Sequence, residues 1–317
     1  MNILLTGASG FLGRHVVHAL LQRGHTVRTL VRTPNGRLPN IEYFHADLAG
    51  STDLVPALSN IDVIIHLAVQ MSGPDQERIQ NTLTATTRLL AAMTRSPTRR
   101  LVLASSLSVY DWTAARTTLN EETPLEQFPT TRDGYAIAKI EQERLAKAVA
   151  KSHNFILTIL RPGYIWGAGL AFVPGVAAAA GPLQFIMSPS AALPLVYVEN
   201  CAEAFAQAAE SPRAFTANII DDEKISAWRY VHAVRPRPIS LPVPYACGLL
   251  AALAANTLTR PFNASKKLPS ILQPRRFRAR FRPLIFDNNH ARATFSWRPR
   301  YAFAEAVARA QNGGRSP

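Results

Sequence analysis

Near its amino terminus the chain carries the stretch TGASGFLG, residues Thr6–Gly13. It follows a short apolar run, Asn2–Leu5, and leads into a segment with apolar residues at helical spacing. Gly7 permits a tight turn, Gly10 lets a pyrophosphate approach the positive end of the helix, and Gly13 lets the helix pack closely on the sheet. The stretch therefore predicts a β-turn-α unit that binds the phosphates of a dinucleotide.

Short apolar runs alternate with helical patterns in the first 220 residues. The runs lie at 2–5, 25–31, 41–45, 63–67, 101–104, 155–160 and 214–220, and the helical patterns at 11–22, 79–93, 135–151 and 201–209. Near-continuous apolar strands of this kind are typical of a parallel sheet covered on both faces. We predict an α/β fold, a Rossmann-type doubly wound parallel sheet with a smaller C-terminal substrate-binding cap. The predicted dinucleotide-binding domain spans 1–165 and includes 196–222, and the cap comprises 166–195 and 223–317.

The composition is that of a globular chain of 317 residues, of which 47% are hydrophobic and 18% charged. Residues 260–317 hold 13 basic and 2 acidic side chains, which is +11 of the net charge of +14. The two cysteines, Cys201 and Cys247, cannot form a disulfide framework and match no zinc spacing, so we expect no metal site. Without a secretory leader pattern, we expect a cytoplasmic location.

Two stretches carry no charge, residues 162–198 and residues 238–259. The first is interrupted by prolines and glycines, and the second leaves an apolar core of residues 245–255, well short of the roughly 20 residues that a membrane span needs. We therefore expect no spanning helix.

The second predicted strand ends near Arg32, where an acidic residue would otherwise bind the ribose of NAD. An arginine there favours the 2′-phosphate of NADP, because a guanidinium pairs with phosphate oxygens in bidentate fashion. NAD is the alternative cofactor, with Arg32 then only a solvated side chain at a strand end. Asp47 and Leu48 follow the third strand, where an adenine would bind, and the alternative is an ordinary cap ahead of Ser51.

A tyrosine and a lysine stand four residues apart in the sequence Tyr135-Ala-Ile-Ala-Lys139. On a helix they share one face, so the lysine can lower the pKa of the tyrosine and make it a general acid and base near neutral pH. The segment Ala104–Tyr110, just after the fifth strand, offers serine hydroxyls at the carboxyl edge of the sheet, where ligands bind.

Together these motifs resemble the extended short-chain dehydrogenase/reductase family, also called NAD-dependent epimerases/dehydratases, over nearly the whole chain. Further motifs carry the resemblance: His66-Leu67-Ala68, Asn81, Glu122-Thr-Pro124, Leu160–Gly167 (LRPGYIWG), Val196–Ala204 (VYVENCAEA) and Ala291–Arg300 (ARATFSWRPR). The resemblance implies a nicotinamide cofactor and a small-molecule substrate.

The resemblance assigns roles residue by residue. Ser106 would hydrogen-bond the substrate oxygen, with Ser105 as the rival, Tyr135 would exchange the proton, and Lys139 would hold the ribose and keep Tyr135 acidic. The remaining residues that it places on the cofactor are Gly7, Ser9, Gly10, Phe11, Leu12 and Gly13 of the glycine stretch, Leu67, Ala68, Asn81, and Pro162 to Ile165.

Departures from the family patterns narrow the reaction. Family dehydratases carry Thr-Asp-Glu where this chain has Ser106–Ser108, so we do not expect dehydration. Many nucleotide-sugar enzymes place an asparagine at the position of Tyr164, and the uncharged residues 162–198 offer a diphosphate no cation. The bulky apolar side chains of this segment suggest that it lines an apolar pocket. The alternative is that they only form the core of the cap. The chain therefore looks more like the 3β-hydroxysteroid dehydrogenase-like and dihydroflavonol reductase-like branch.

We expect interconversion of a secondary alcohol and a ketone on a mostly apolar molecule. A nucleotide-sugar epimerase is the alternative enzyme. The alternative from another class is a non-catalytic NADP-binding sensor or assembly factor, which the presence of Ser106, Tyr135 and Lys139 disfavours.

The tail alternates strictly from Arg276 to Arg282, with arginines on one face and Phe277, Ala279 and Phe281 on the other. A period of two predicts a strand with one charged face. That face could meet an anionic substrate group, could meet acidic lipid headgroups, or could simply be solvated. We expect no nucleic-acid partner and no membrane contact, and by family analogy a homodimer formed through residues 79–93 and 135–151.

Overall fold

The computed structural model describes residues 1–32, 41–129, 132–237, 239–259 and 268–312. Its strands are β1 (Asn2–Thr6), β2 (Thr26–Val31), β3 (Ile41–His45), β4 (Val63–His66), β5 (Arg100–Ala104), β6 (Thr118–Leu119), β7 (Ile156–Pro162), β8 (Tyr164–Trp166), β9 (Ala177–Ala180), β10 (Leu183–Met187), β11 (Leu195–Tyr197), β12 (Thr216–Ile219), β13 (Ile239–Val243) and β14 (Ile285–Phe286). Its α-helices are α1 (Phe11–Gln22), α2 (Asp75–Thr94), α3 (Gly134–His153), α4 (Val198–Glu210), α5 (Ala227–Val234), α6 (Tyr245–Thr259), α7 (Pro274–Phe281), α8 (Asn289–Phe295) and α9 (Phe303–Gln311).

Seven parallel strands form the central sheet in the order β12-β7-β5-β4-β1-β2-β3. Helices α1 and α4 pack together on one face, and α2 and α3 on the other. The apolar strands of the sheet are therefore buried on both faces. In β1, for example, Ile3, Leu4 and Leu5 are fully buried. The predicted Rossmann-type α/β fold is confirmed. The strand order reverses between β1 and β4, and the crevice at such a point is where ligands bind.

The sequence patterns locate the elements of this sheet closely. The bounds of α1 and β3 are as predicted, and those of the other strands and helices differ by a few residues. Helix α3 starts one residue before Tyr135 because the side chain of Asp133 caps it, accepting a hydrogen bond from the backbone N–H of Ala136 at 2.9 Å.

The cap surrounds an aromatic cluster beyond the carboxyl edge of the sheet. Trp166 lies at its centre, with edge-on contacts to Tyr197 and Tyr230, and Phe303 packs beside it. The short sheet β13-β10-β9 lies next to this cluster. The predicted division into residues 1–165 with 196–222 and a cap of the remaining residues stays a prediction.

The strand predicted from Arg276 to Arg282 is wrong, because these residues belong to helix α7 and its end. The spacing of Phe277 and Phe281 fits both a period of two and the i, i+4 spacing of a helix. A helix forms instead of a strand because Pro274 stands at the first helical position and because the rings of Phe277 and Phe281 are buried against α6. There Phe277 packs on Gly248. Within the described ranges, no helix is long and apolar enough to cross a membrane.

We predict that Gly248→Ala changes the sign of its effect on stability when Phe277 is shortened. A Cβ at Gly248 would lie 2.4 Å from Cζ of Phe277, and overpacking of this kind costs about 1–3 kcal/mol. In a Phe277→Leu background the clash is absent, and alanine should gain up to about 1 kcal/mol from its helix propensity. Urea unfolding of the four proteins measures both effects, and equal effects in the two backgrounds would disprove the α6–α7 contact.

Candidate active site

The glycine stretch forms a close-fitting turn between β1 and α1. Gly7 has φ +77°, and a Cβ there would lie 2.9 Å from the backbone nitrogen of Ala68. A Cβ at Gly13 would lie 2.0 Å from the carbonyl oxygen of Gly7. No side chain caps the start of α1. The backbone N–H groups of its first turn therefore face an open space, which larger side chains in place of the glycines would fill. This cradle fits the pyrophosphate of a dinucleotide.

The other predicted cofactor residues lie mainly where parallel strands end on the same edge. Arg32 directly follows β2 and is exposed, Asp47 follows β3, and Leu67 and Ala68 follow β4. Asp47 Oδ1 accepts a hydrogen bond from the N–H of Ala49 at 3.0 Å in a turn, and the helix cap considered as its alternative role is wrong, because no helix begins at Ser51. The others are Ser9 in the turn, Phe11 and Leu12 at the start of α1, Leu48 after β3, Asn81 on α2 with an exposed side chain, Pro162 at the end of β7 and Ile165 in the middle of β8.

Ser106 and Tyr135 meet at this edge. Ser106 follows β5 and begins a short 3-10 turn, with its Oγ accepting from the N–H of Ser108 at 3.1 Å. Tyr135 lies in the first turn of α3. Burial raises the pKa of its phenol, and a side-chain hydrogen bond with Ser106 acts in the opposite direction.

The rival hydroxyl, Ser105, points into the protein instead. It is buried and donates to Oε1 of Glu143, a carboxylate that also receives both Nε and NH2 of Arg161 at 2.8 and 2.7 Å. Arg161 NH1 in turn donates to the hydroxyl of Tyr110 at 2.7 Å. Successive residues at a strand end face opposite ways, so only Ser106 is directed to the tyrosine.

Lys139 is buried one turn beyond Tyr135. Its Nζ donates to the carbonyl oxygen of Ala104 at 2.6 Å and to Oε1 of Gln142 at 3.0 Å. Burial lowers the pKa of Lys139 to about 7, and the carboxylate of Glu143 opposes that shift. The expectation that Lys139 lowers the pKa of Tyr135 is not met, because the pKa of Tyr135 is raised and the ammonium is directed to Ala104 and Gln142.

A chain of buried hydrogen bonds continues from Gln142, and the sequence analysis missed it. Gln142 Nε2 donates to Thr86 Oγ1 at 2.8 Å, and Thr86 donates to the carbonyl of Thr82. With the Thr86 proton so directed, His66 Nε2 donates to Thr86 at 3.1 Å, and His66 Nδ1 accepts from Thr6 at 2.7 Å. The position of Gln142, three residues after Lys139 on one helix face, is the signal that could have identified the start of this chain.

A small cavity of about 20 Å³ lies next to this edge, between the cap and the sheet. Its lining is formed by Trp112, Tyr164, Gly175, Val176, Met187, Ser188, Ala191, Ala192, Leu193, Pro194, Arg280, Phe281 and Arg282. The uncharged residues 162–198 were expected to line a pocket. Met187 and Leu193 do so, whereas Ile186 is fully buried in the core of the cap. Residues 162–198 bring no cation to the cavity, as expected, and the arginines that line it come from α7 and the residue after it, Arg280 and Arg282.

A comparison with protein families shows to which family the chain belongs. The model of the NAD dependent epimerase/dehydratase family matches residues 3–220. The chain belongs to this family. The predicted family is therefore confirmed, and it is a family whose cofactor is of the NAD class.

Curated relatives of this family member include oxidoreductases. Sterol-4-alpha-carboxylate 3-dehydrogenase, decarboxylating, of Mus musculus is 28% identical over 243 residues, 72% of this chain and 66% of that protein. The match thus spans just under two thirds of that protein. The 3beta-hydroxysteroid-dehydrogenase/decarboxylase isoform 1 of Arabidopsis thaliana is 28% identical over 348 residues, 96% of this chain and 78% of that protein.

Solved structures show the same fold at low identity. The crystal structure of gox2253 has a TM-score of 0.78 at 22% identity and covers 98% of this chain and 96% of that one. MoeE5 in complex with UDP-glucose and NAD has a TM-score of 0.71 at 23% identity, with 98% of both chains covered. At this identity the likeness extends to the fold alone.

We predict that His66 makes the fold sensitive to acid. Burial lowers the pKa of His66 to about 3 in the folded protein, below the value of about 6.5 in an unfolded chain. As the pH falls below 6.5 the unfolded chain takes up this proton first, so stability that is present above 6.5 is lost as the pH falls towards 3. At pH 5 the loss is about 2 kcal/mol relative to pH 7.5.

Urea unfolding of the wild type and of His66→Gln at pH 7.5 and 5.0 measures this loss. The variant should lose about 2 kcal/mol less than the wild type between these pH values. An identical pH dependence in the two proteins would contradict the neutral, buried His66.

Proposed function

We propose that this family member is an NAD(P)-dependent oxidoreductase that interconverts a secondary alcohol and a ketone on a mostly apolar small molecule. The observation that carries the proposal is that Ser106 and Tyr135 come together at the carboxyl edge of the sheet, beside the glycine cradle and a small, largely apolar cavity. The names of the curated relatives, which are dehydrogenases and ketoreductases, support the same reaction class.

In ketone reduction, Ser106 donates a hydrogen bond to the carbonyl oxygen and Tyr135 gives that oxygen a proton as the carbonyl carbon accepts a hydride. When bound, the nicotinamide supplies the hydride, and it accepts one in the reverse direction. The residues that would hold it are those of the glycine stretch, with Leu67 and Ala68. Donors aimed at the oxygen stabilise the charge that develops there in the transition state.

Lys139 then serves two purposes. Its buried ammonium would bind the ribose hydroxyls, as the family resemblance implies. With a pKa of about 7 it can also release and take up a proton during turnover near neutral pH, because both charge states are populated there.

Apolar ketones suit the cavity better than sugars. Trp112, Val176, Met187, Leu193 and Phe281 line it, and each Å² of apolar substrate removed from water contributes about 25 cal/mol. The names of curated relatives refer to a sterol, a steroid and an alpha-pyrone. A nucleotide-sugar epimerase is the second candidate, which the arginines at the cavity favour.

We infer that the protein works as a homodimer in the cytoplasm. Helices α2 and α3 pack side by side on one sheet face and would form the contact between copies. Cys201 and Cys247 are both free thiols, as suits a reducing compartment. Light scattering of the purified protein measures the oligomeric state.

We predict that Tyr135→Phe abolishes turnover and leaves cofactor binding within about threefold, because it removes only the proton that moves in the transition state. Lys139→Ala should reduce both turnover and cofactor binding. The measurements are kcat with a 3-oxosteroid and NADPH, and cofactor titration by fluorescence.

Tyr245→Phe is the matched control, since it removes a phenolic oxygen on α6 that does not line the cavity. It should keep wild-type turnover. Substantial turnover by Tyr135→Phe would contradict the assigned mechanism.

We predict a preference for NADPH over NADH. Arg32 is exposed directly after β2, and no acidic residue lies between Thr26 and Arg32 to bind a ribose 2′-hydroxyl. Loss of a bidentate, charge-assisted contact costs about 1.5–3 kcal/mol, so Arg32→Ala should reduce the preference by about 10 to 150 fold. Binding titrations with both cofactors measure this, and equal wild-type affinities would show that Arg32 does not contact a 2′-phosphate.

A further inference from the structure

We propose that Arg280 forms an anion-binding subsite in the cavity, which selects apolar substrates that carry a carboxylate in addition to the reacting ketone or alcohol. This inference rests on the proposed function and names a substrate class for it. It follows from where α7 places its arginines and from what those arginines bind.

The arginines of α7 are short of acidic partners. Arg275 pairs with Glu126 at 2.8 Å, and the same carboxylate pairs with the buried Arg132 at 3.4 Å. Within the described part of the chain, none of Arg276, Arg278, Arg280 and Arg282 forms an ion pair. A cluster of this sign beside a low-dielectric cavity attracts anions.

Arg282 and Arg280 line the cavity but differ in their free donors. Arg282 donates to the carbonyl oxygens of Trp112, Thr113 and Arg116 at 2.8, 2.9 and 3.3 Å, so it mainly fixes the loop that carries Trp112. Within the residues that the structure describes, Arg280 makes one hydrogen bond, from NH2 to the carbonyl oxygen of Pro174. A guanidinium has five N–H donors, so Arg280 keeps donors for a ligand.

The cavity that Arg280 lines also reaches the segment that carries Ser106. Trp112 lines the same cavity and donates from Nε1 to the carbonyl oxygen of Leu107, the residue after Ser106, at 3.1 Å. Tyr164, two residues after the end of β7, lines it as well. A ligand bound at Ser106 and Tyr135 would therefore extend towards Arg280.

The rest of the lining determines the kind of anion. Around Arg280 the wall is apolar, formed by Val176, Met187 and Phe281, with the hydroxyl of Ser188 bonded to the carbonyl of Phe281 at 2.9 Å. One guanidinium with free donors matches one carboxylate, whereas a diphosphate would need further cations in this wall. The geometry points to a carboxylate on an apolar frame.

The test compares acids with their methyl esters, which share the frame and lack the charge. The probes are 3-oxo-5β-cholan-24-oic acid and 3-oxoandrost-4-ene-17β-carboxylic acid, each against its ester, with NADPH present. For at least one pair we expect the wild type to prefer the acid in kcat/KM by about 10 to 150 fold, the range of a charge-assisted hydrogen bond. Arg280→Gln should abolish this preference, and Arg280→Lys should retain part of it.

Arg278→Gln is the matched control. It removes the same charge from the same helix and is exposed like Arg280, but it does not line the cavity. It should keep the wild-type preference. Loss of the preference in Arg278→Gln as well would indicate a general effect of net charge and would overturn the proposal.

The remaining outcomes separate this inference from the proposed function. Equal turnover of acid and ester by the wild type, or a preference that Arg280→Gln retains, overturns the subsite and leaves the oxidoreductase intact. Thermal protection by UDP-glucose that Arg280→Gln abolishes would assign the arginine to a diphosphate and overturn both. Turnover of none of the four probes also counts against both.

Discussion

The hydrogen bond from Lys139 to the carbonyl oxygen of Ala104 is the interaction on which the site depends. It ties α3 to the end of β5, and these are the two elements that carry Tyr135 and Ser106. A buried ammonium is costly unless its donors are used, so the fold must supply acceptors at fixed places. Ala104 and Gln142 meet that requirement, and in doing so they set the position of α3 along the sheet.

Buried hydrogen bonds continue from Gln142 towards the glycine cradle, because each buried donor needs an acceptor. Gln142 is held by Thr86 on α2, which contacts His66 at the end of β4, and His66 contacts Thr6 at the end of β1. Thr6 immediately precedes Gly7, the turn that approaches Ala68. A continuous set of buried hydrogen bonds thus joins the lysine to the glycine turn, and each member is satisfied by the next.

Much of this arrangement could be predicted from the sequence, because periodic apolar patterns and fixed spacings report local structure. The sheet, the glycine turn and the Tyr135–Lys139 pair are of this kind. The choice between Ser105 and Ser106 could not be made, since adjacent hydroxyls are equivalent in a motif. It depends on Glu143, 37 residues after Ser106, which accepts the hydrogen bond of Ser105 and leaves Ser106 facing Tyr135.

Helix α7 shows a second limit of prediction from the sequence. Phe277 and Phe281 are spaced for either a strand or a helix, and only the contact with Gly248 on α6 favours the helix. That tertiary contact also redistributes charge. A strand would have put all its arginines on one face, whereas the helix places Arg280, and not Arg278, at the cavity. Arg161 pairs with Glu143 at 2.7 Å inside the sheet domain, whereas within the described part of the chain neither Arg280 nor Arg282 forms an ion pair. The uncompensated positive charge of this segment therefore lies at the cavity.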